Sequence, residues 1–344
     1  MKVLGIDTSC DETAAAVVLD GRTVLGNVVS SQVPLHRRFG GVVPEIACRA
    51  HTENITRVIE KALEDAGIGY EDLDGVAVTN RPGLIGALLV GVSAAKAIAM
   101  AREIPLVGVN HVEAHVFASE LVSGKIPLPA VALVVSGGHT SLFRIEAAGQ
   151  LSELGRTIDD AAGEAFDKAA AVLGLGYPGG PAIEKAAMEG DPKGVPFKRP
   201  YLSPESLDFS FSGLKTALLY HARGQDQRRK DTPLREGVSV ADSAASFQET
   251  VVDVLVKKTF RAVRATGVGH VVVGGGVAAN SRLRERLEAE AARQGVSLLI
   301  PPKNLCTDNA AMVAALGCRL LERGVRHDLS LDAYSRTNEW TGAA

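Results

Sequence analysis

The chain has 344 residues, 46% of them hydrophobic but only 4% aromatic, and a formal net charge of −3. That length predicts two domains with a core each, and an Ala/Val/Leu interior rich in glycine suits α/β architecture. A charge so near neutral excludes nucleic-acid binding through the overall field, so any RNA contact needs a local basic patch or a partner.

The four cysteines (Cys10, Cys48, Cys306 and Cys318) form no C-x-x-C pair, and no signal peptide is expected ahead of them. Free thiols in a reducing cytoplasm are the predicted state. In chain order, residues 3–6 and 14–19 read as strands of a hairpin. Its turn, Asp7-Thr8-Ser9-Cys10-Asp11-Glu12-Thr13, is crowded with hydroxyls and acids. Hydroxyls and turn amides suit a phosphate, and Asp7, Asp11 or Glu12 suits a cation or the orienting of a nucleophile. The plain alternative is a polar turn that caps its own backbone. A Gly/Pro loop, residues 39–45, leads to Arg49 and His51, and Ile55, Val58, Ile59 and Leu63 then recur at helix spacing. Residues 75–79 are the next strand, and Asn80-Arg81-Pro82-Gly83 a turn into an apolar segment, residues 84–101. That segment is rich in Gly and Ala and contains Lys96, which reads as a buried helix and not a membrane span.

Residues 105–109 form a short strand that delivers Asn110, His111 and His115. In a helix started by Asn110 the two imidazoles stack one turn apart, where both can grip one metal ion. A zincin protease needs His-Glu-x-x-His, whereas Glu113 lies roughly 200° around the helix from His111 and is a poor base there. A lobe boundary is expected at residues 124–129, which divides the chain into 1–125 and 126–344, with the last helices packing back on the first lobe. The opening pattern then recurs: a strand at 130–135, the turn Ser136-Gly137-Gly138-His139-Thr140, and a return strand at 141–145. Paired glycines let backbone N–H groups approach an anion.

Asp159, Asp160, Glu164 and Asp167 follow in a helical pattern over 157–170, and residues 174–181 form a Gly/Pro loop. An acid beside such a loop suits ribose hydroxyls, although helix charges are ordinarily a solvated face. Residues 190–204 are irregular, 208–216 pair two aromatics with a lysine, and 224–233 are a charged, mobile loop. A strand at 270–273, the loop Gly274-Gly275-Gly276-Val277-Ala278-Ala279-Asn280, a helix at 281–293 and a strand at 296–300 complete an αβ unit. The loop matches G-x-G-x-x-A, but Pro301-Pro302-Lys303 stands where a dinucleotide site wants an acid. Its glycines and Asn280 suit the flank of an adenine or ribose instead. Finally, Cys306-Thr307-Asp308-Asn309-Ala310 opens an Ala-rich helix. Thr307 or Asp308 is either its N-cap or, for Asp308, a third ligand beside His111 and His115.

Taken together, Gly5 to Thr13, the His111/His115 pair, Val135 to Thr140, Gly274 to Asn280 and Thr307-Asp308-Asn309 closely resemble the TsaD family, once labelled O-sialoglycoprotein endopeptidase. The resemblance implies an α/β fold of two actin/Hsp70-like (ASKHA) lobes with an active cleft between them. It also implies transfer of threonylcarbamoyl from threonylcarbamoyl-AMP to N6 of the adenosine 3′ to the anticodon, in tRNAs reading codons that begin with A. His111, His115 and Asp308 would bind iron(II), with zinc(II) as the alternative. Val134, Val135, Ser136, Gly137, Gly138, Asp167, Gly180 and Asn280 would hold the adenylate, ATP or AMP. Asp11 is the expected group to orient or deprotonate the attacking amine. The implied partners are tRNA, a TsaB-like paralogue, a TsaE-like ATPase and a TsaC-like synthase that supplies the adenylate; no membrane is involved. Two positions depart from the family pattern: Arg81, where a glycine is expected, and Glu184, where some members carry an aspartate. An actin-fold phosphotransferase, a non-catalytic scaffold and a metallopeptidase are the rival readings.

Overall fold

The computed structural model describes residues 1–39, 41–224 and 233–336. The chain divides into two compact units. Unit 1 comprises Met1–Ile126, Ala147–Gln150 and the chain from Thr307; unit 2 comprises Pro127–Glu146 and Leu151–Cys306.

Unit 1 begins with β1 (Lys2–Asp7), β2 (Glu12–Leu19) and β3 (Thr23–Ser31), an antiparallel meander. The short α1 (Val33–His36) leads to α2 (Pro44–Ala66), and β4 (Gly75–Arg81) and β5 (Leu106–Asn110) then pair in parallel on the other side of β1. Between them runs α3 (Ile85–Arg102); α4 (His111–Phe117) and α5 (Glu120–Ser123) follow β5. In unit 2, β6 (Ala130–Val135), β7 (Thr140–Ala147) and β8 (Gln150–Arg156) are followed by α6 (Ala162–Leu173), α7 (Gly179–Ala187), α8 (Ser212–Arg223) and α9 (Val240–Thr266). Next come β9 (His270–Gly274), α10 (Ser281–Gln294) and β10 (Ser297–Leu299), after which α11 (Ala310–Glu322) returns to unit 1.

The strand orders are β3-β2-β1-β4-β5 and β10-β9-β6-β7-β8. Reversing the second list matches the first strand for strand: a meander whose first strand also receives two later parallel strands. The duplication that the turns only suggested in sequence is complete at the level of topology.

Alternation along β1 assigns its two faces. Leu4 and Ile6 pack with Ile55, Val58 and Ile59 of α2 and with Leu88 and Val92 of α3. Gly5 and Asp7 point to the opposite face, where α11 lies so close that a Cβ on Gly5 would stand 2.3 Å from the Ala310 carbonyl oxygen. At β4 the same helix meets the sheet through Gly317, whose added Cβ would lie 2.3 Å from Ala77 Cβ. Small residues on both surfaces let helix and sheet touch backbone to backbone.

Several boundaries differ from the sequence expectations. β3 and β8 were not anticipated because both are edge strands, half exposed, without a continuous apolar run. α2 starts at Pro44, so Arg49 and His51 lie within the helix; proline suits a first helical turn, where its missing N–H costs nothing. Gly179, Gly180 and Pro181 likewise open α7 and do not belong to the preceding loop. α3 is long and apolar enough to cross a membrane by composition, but its Ala87, Leu88, Gly91, Val92, Ala95 and Ala99 stripe packs into the core. The charged loop read at 224–233 falls, over residues 225–232, outside the described residues.

Candidate metal centre and glycine turns

Strand β5 ends at Asn110, whose side-chain oxygen accepts the backbone N–H of Val112 at 2.9 Å and of Glu113 at 3.3 Å. This N-cap starts α4 at once and places His111 and His115 one turn apart, rings edge to face with centroids 4.7 Å apart. Asp308 arrives from the turn before α11. Its Oδ1 lies 3.5 Å from His111 Nε2 and 3.2 Å from His115 Nε2. The N-cap of α11 is Asn309, which accepts from the Met312 N–H, so neither Thr307 nor Asp308 has that task. One ligand atom from each of His111, His115 and Asp308 lies within 4.8 Å of the others, and this group could hold a metal ion.

The polar bookkeeping fits a cation. His115 is 1% exposed, yet neither of its ring nitrogens makes a hydrogen bond among the described residues. Buried polar atoms are ordinarily paired, and an unpaired imidazole facing a carboxylate at 3.2 Å is what an ion would complete. His111 is engaged on its other side: Nδ1 lies 3.1 Å from Asp7 Oδ2 and 3.2 Å from Ser9 Oγ. A proton on Nδ1 directed at Asp7 leaves the Nε2 lone pair for a metal, the carboxylate–histidine–metal arrangement. Burial works against a charged His111, but Asp7 and Asp308 outweigh it and raise its pKa well above the ordinary value. Asp308 is held well below the carboxylate range: burial opposes this, but His111 and His115 prevail.

Glu113 faces the other way, as its helical register requires. Its carboxylate accepts the Gly149 N–H, so it cannot serve the histidine pair as a protease base. Burial pushes it up to about 7, against the pull of that N–H, Arg81 and Arg323. Arg81, unexpected in sequence, is thus part of the charge balance behind the site. Asp11, on the β1–β2 turn, is half-buried, and its pKa is raised by burial and then by Asp308.

In unit 2 the β6–β7 turn closes on itself: the Ser136 N–H donates to the His139 carbonyl, and Ser136 Oγ accepts the His139 N–H. Nothing lies within 4 Å of where a Cβ on Gly137 or Gly138 would stand, so both present bare backbone to open space. Val134 and Val135 have fully buried side chains; any ligand contact there is through backbone. Parallel pairing of β6 with β9 brings the 274–280 loop alongside, and Gly275, at φ +92°, presses on the Val135 carbonyl where no other residue fits. Asn280 caps α10 through Leu283 N–H and donates to Gln248 Oε1, so its side chain already has protein partners. Asp167, on α6, accepts the Gly179 N–H and so fixes the entry to α7 beside Gly180. Glu184 accepts the Ser281 N–H at the start of α10.

The family model for TsaD, tRNA N6-adenosine threonylcarbamoyltransferase, matches residues 23–315. The chain belongs to the TsaD family. It is 54% identical over 333 residues to the tRNA N6-adenosine threonylcarbamoyltransferase of Trichlorobacter lovleyi, covering 97% of this chain and 95% of that one. The enzyme of the same name from Bacillus cereus is 53% identical over 334 residues, with 96% and 94% covered. Among solved structures, HypF from T. kodakarensis superposes with a TM-score of 0.63 at 15% identity, over 94% of this chain and 48% of that one. Component A of the (R)-2-hydroxyglutaryl-CoA dehydratase of Acidaminococcus fermentans gives 0.53 at 17%, over 92% and 97%. These likenesses establish the fold, two five-stranded units of the actin/Hsp70-like (ASKHA) class. The activity that follows from membership is threonylcarbamoyl transfer to N6 of adenosine in tRNA.

Sequence reasoning missed Asp7 and Ser9 as neighbours of His111 in this TsaD chain. β1 and β5 both flank β4, and their C-terminal ends carry Asp7 and Asn110-His111. Only the strand order shows that those ends are near neighbours. Phe209 and Phe211 do stack, at 6.2 Å, but the lysine beside them is Lys258 from α9, 5.8 Å from the Phe209 ring.

Proposed function

We propose that the chain takes its threonylcarbamoyl group from threonylcarbamoyl-AMP and delivers it to N6 of the adenosine 3′ to the anticodon in tRNAs that read codons beginning with A. His111, His115 and Asp308 hold a divalent ion, iron(II) or alternatively zinc(II). The observation that carries the reading is the convergence of His111, His115 and Asp308 on one point, His111 backed by Asp7 and His115 making no hydrogen bond among the described residues. When bound, the ion supplies Lewis-acid polarisation to the acyl group being transferred.

The remaining work falls to the chain. Backbone N–H groups at Gly137 and Gly138, presented by the turn that Ser136 closes, hold the adenylate phosphate and stabilise AMP as it leaves. Val134 and Val135 contribute backbone, and Asp167, Gly180 and Asn280 line the nucleoside. The N6 amine attacks the carbamoyl carbon, a C–N bond forms, and the C–O bond to the phosphate breaks with its electron pair going to AMP. The proton leaving N6 passes to Asp11, whose raised pKa makes it a better acceptor. A TsaB-like paralogue and a TsaE-like ATPase are the expected partners, a TsaC-like synthase supplies the adenylate, and the setting is the cytoplasm with no membrane involved.

The test is transfer of labelled threonylcarbamoyl from the adenylate to unmodified tRNA with purified partners, comparing the native chain with His111→Ala and measuring bound metal in both. Loss of both transfer and metal in the variant supports the reading. Transfer that survives metal loss reduces the ion to a structural role. No transfer by the native chain beside competent partners overturns it in favour of a phosphotransferase or scaffold.

A further inference from the structure

Unit 2 carries a groove of about 710 Å³ between α9 and α10, lined by Lys257, Arg261, Arg264, Arg286 and Arg293 over a floor that includes Phe260. Glu290 is the one acid in the lining. The cations recur at helical spacing, i, i+4 and i+7 on α9 and i and i+7 on α10, so each helix presents a basic stripe to the groove.

Ordinary surface pairing accounts for only one part of this charge. Glu249 and Asp253 neutralise the end where Arg286 and Lys257 stand, and Glu290 pairs with Arg293. Arg261 and Arg264 have no carboxylate within ion-pair distance among the described residues. Arg261 donates to the Ser206 carbonyl and Arg264 to Gln294 Oε1, both neutral acceptors. Two guanidinium groups one turn apart without a carboxylate in contact, although Arg264 also acts on Glu290 at longer range, mark a local positive site in a chain of net charge −3.

We propose that this groove is a docking surface for the phosphodiester backbone of the tRNA substrate, a proposal that rests on the tRNA-transferase reading. Each stripe extends about 10 Å along its helix, long enough to meet more than one phosphate of a strand. Four of the five cations are arginines, whose planar forks suit phosphate oxygens. Phosphate contacts of this kind supply affinity and register, independent of sequence.

The test measures binding of labelled, unmodified tRNA to the full chain from 50 to 300 mM salt, for wild type, the Arg264→Glu/Arg293→Glu double variant, and Lys61→Glu on α2 as a charge control. Both groove arginines are exposed, and thermal melting reports folding. A milder pair, Arg261→Gln with Arg264→Gln, covers the case of a destabilised double reversal. The expected result is at least a tenfold loss of affinity at low salt, a salt slope smaller by about one per cation removed, and no change for Lys61→Glu. Wild-type binding with an unaltered slope in both groove variants overturns the groove while leaving the tRNA reading intact. No tRNA binding by the wild-type chain overturns the groove as a docking surface, and transfer with the partners present then tests the tRNA reading separately. Unchanged tRNA affinity together with loss of transfer in the assay with partners assigns the groove to an acidic protein partner and overturns the proposal.

Discussion

Gly5→Ala tests whether the candidate metal centre is built by the contact of α11 with β1. The new methyl carbon would stand 2.3 Å from the Ala310 oxygen, 2.7 Å from the Ala314 nitrogen and 2.9 Å from Ala314 Cβ, where ordinary contacts begin at 3.4 Å. Two of the three obstacles are backbone atoms, so no side chain can rotate aside, and α11 or β1 must shift by about 1 Å. Overpacking of this kind costs about 2–3 kcal/mol, or about 5–10 °C in melting temperature for a unit of this size. The second effect is sharper. Asp308 sits two residues before α11 and reaches the histidines across 3.2 and 3.5 Å, whereas metal–ligand distances tolerate deviations of only about 0.2 Å. Metal affinity should therefore fall by more than tenfold while circular dichroism still reports a folded chain. Gly213→Ala is the control, since nothing lies within 4 Å of the added carbon. Metal titration of the apoprotein and thermal melting are the assays. A Gly5→Ala protein with wild-type melting and wild-type metal affinity would refute the argument that this helix–sheet contact sets the site.

Two further outcomes are expected. Asp7→Asn keeps the shape beside His111 but removes the charge that orients its ring, and metal affinity should drop about 10–100-fold on titration; an unchanged affinity would leave Asp7 a purely structural residue. Glu12, whose Oε2 is buried without a partner and whose Oε1 accepts from Ser31, is pushed by burial up to about 7 from an ordinary value of 4.5. The folded chain then holds the proton more tightly than the unfolded chain, so stability falls as pH rises from 4.5 to about 7 and levels off above. Glu113 contributes a slope of the same sign in the same window, so Glu12→Gln should reduce the slope and gain about 1–2 kcal/mol at pH 7.5, discounted for partial exposure, in urea melts run with chelator; an equal slope in both proteins would locate the titration elsewhere.

Much of this protein was legible before any coordinates. Apolar runs bounded by turn residues marked the central strands, because strands buried on both faces must be apolar throughout. Asn110 before two histidines one turn apart announced a capped helix that presents both rings together, and the same register turned Glu113 away. These are local facts of period and capping, carried by neighbours in the chain.

What tertiary structure decided is everything that depends on distant segments meeting. Asp308, almost 200 residues after His115, is a ligand candidate only because α11 lies flush on Gly5 and Ala77. Asp7 reaches His111 because β1 and β5 both flank β4. The edge strands β3 and β8 escaped detection because half-exposed edges need no apolar pattern. The basic groove of unit 2 has no sequence signature either: its arginines are ordinary surface residues of two charged helices. Only the packing of α9 against α10 brings the two stripes to one side. Local sequence encodes the period of each element, whereas which elements touch is settled by the burial of whole faces at once.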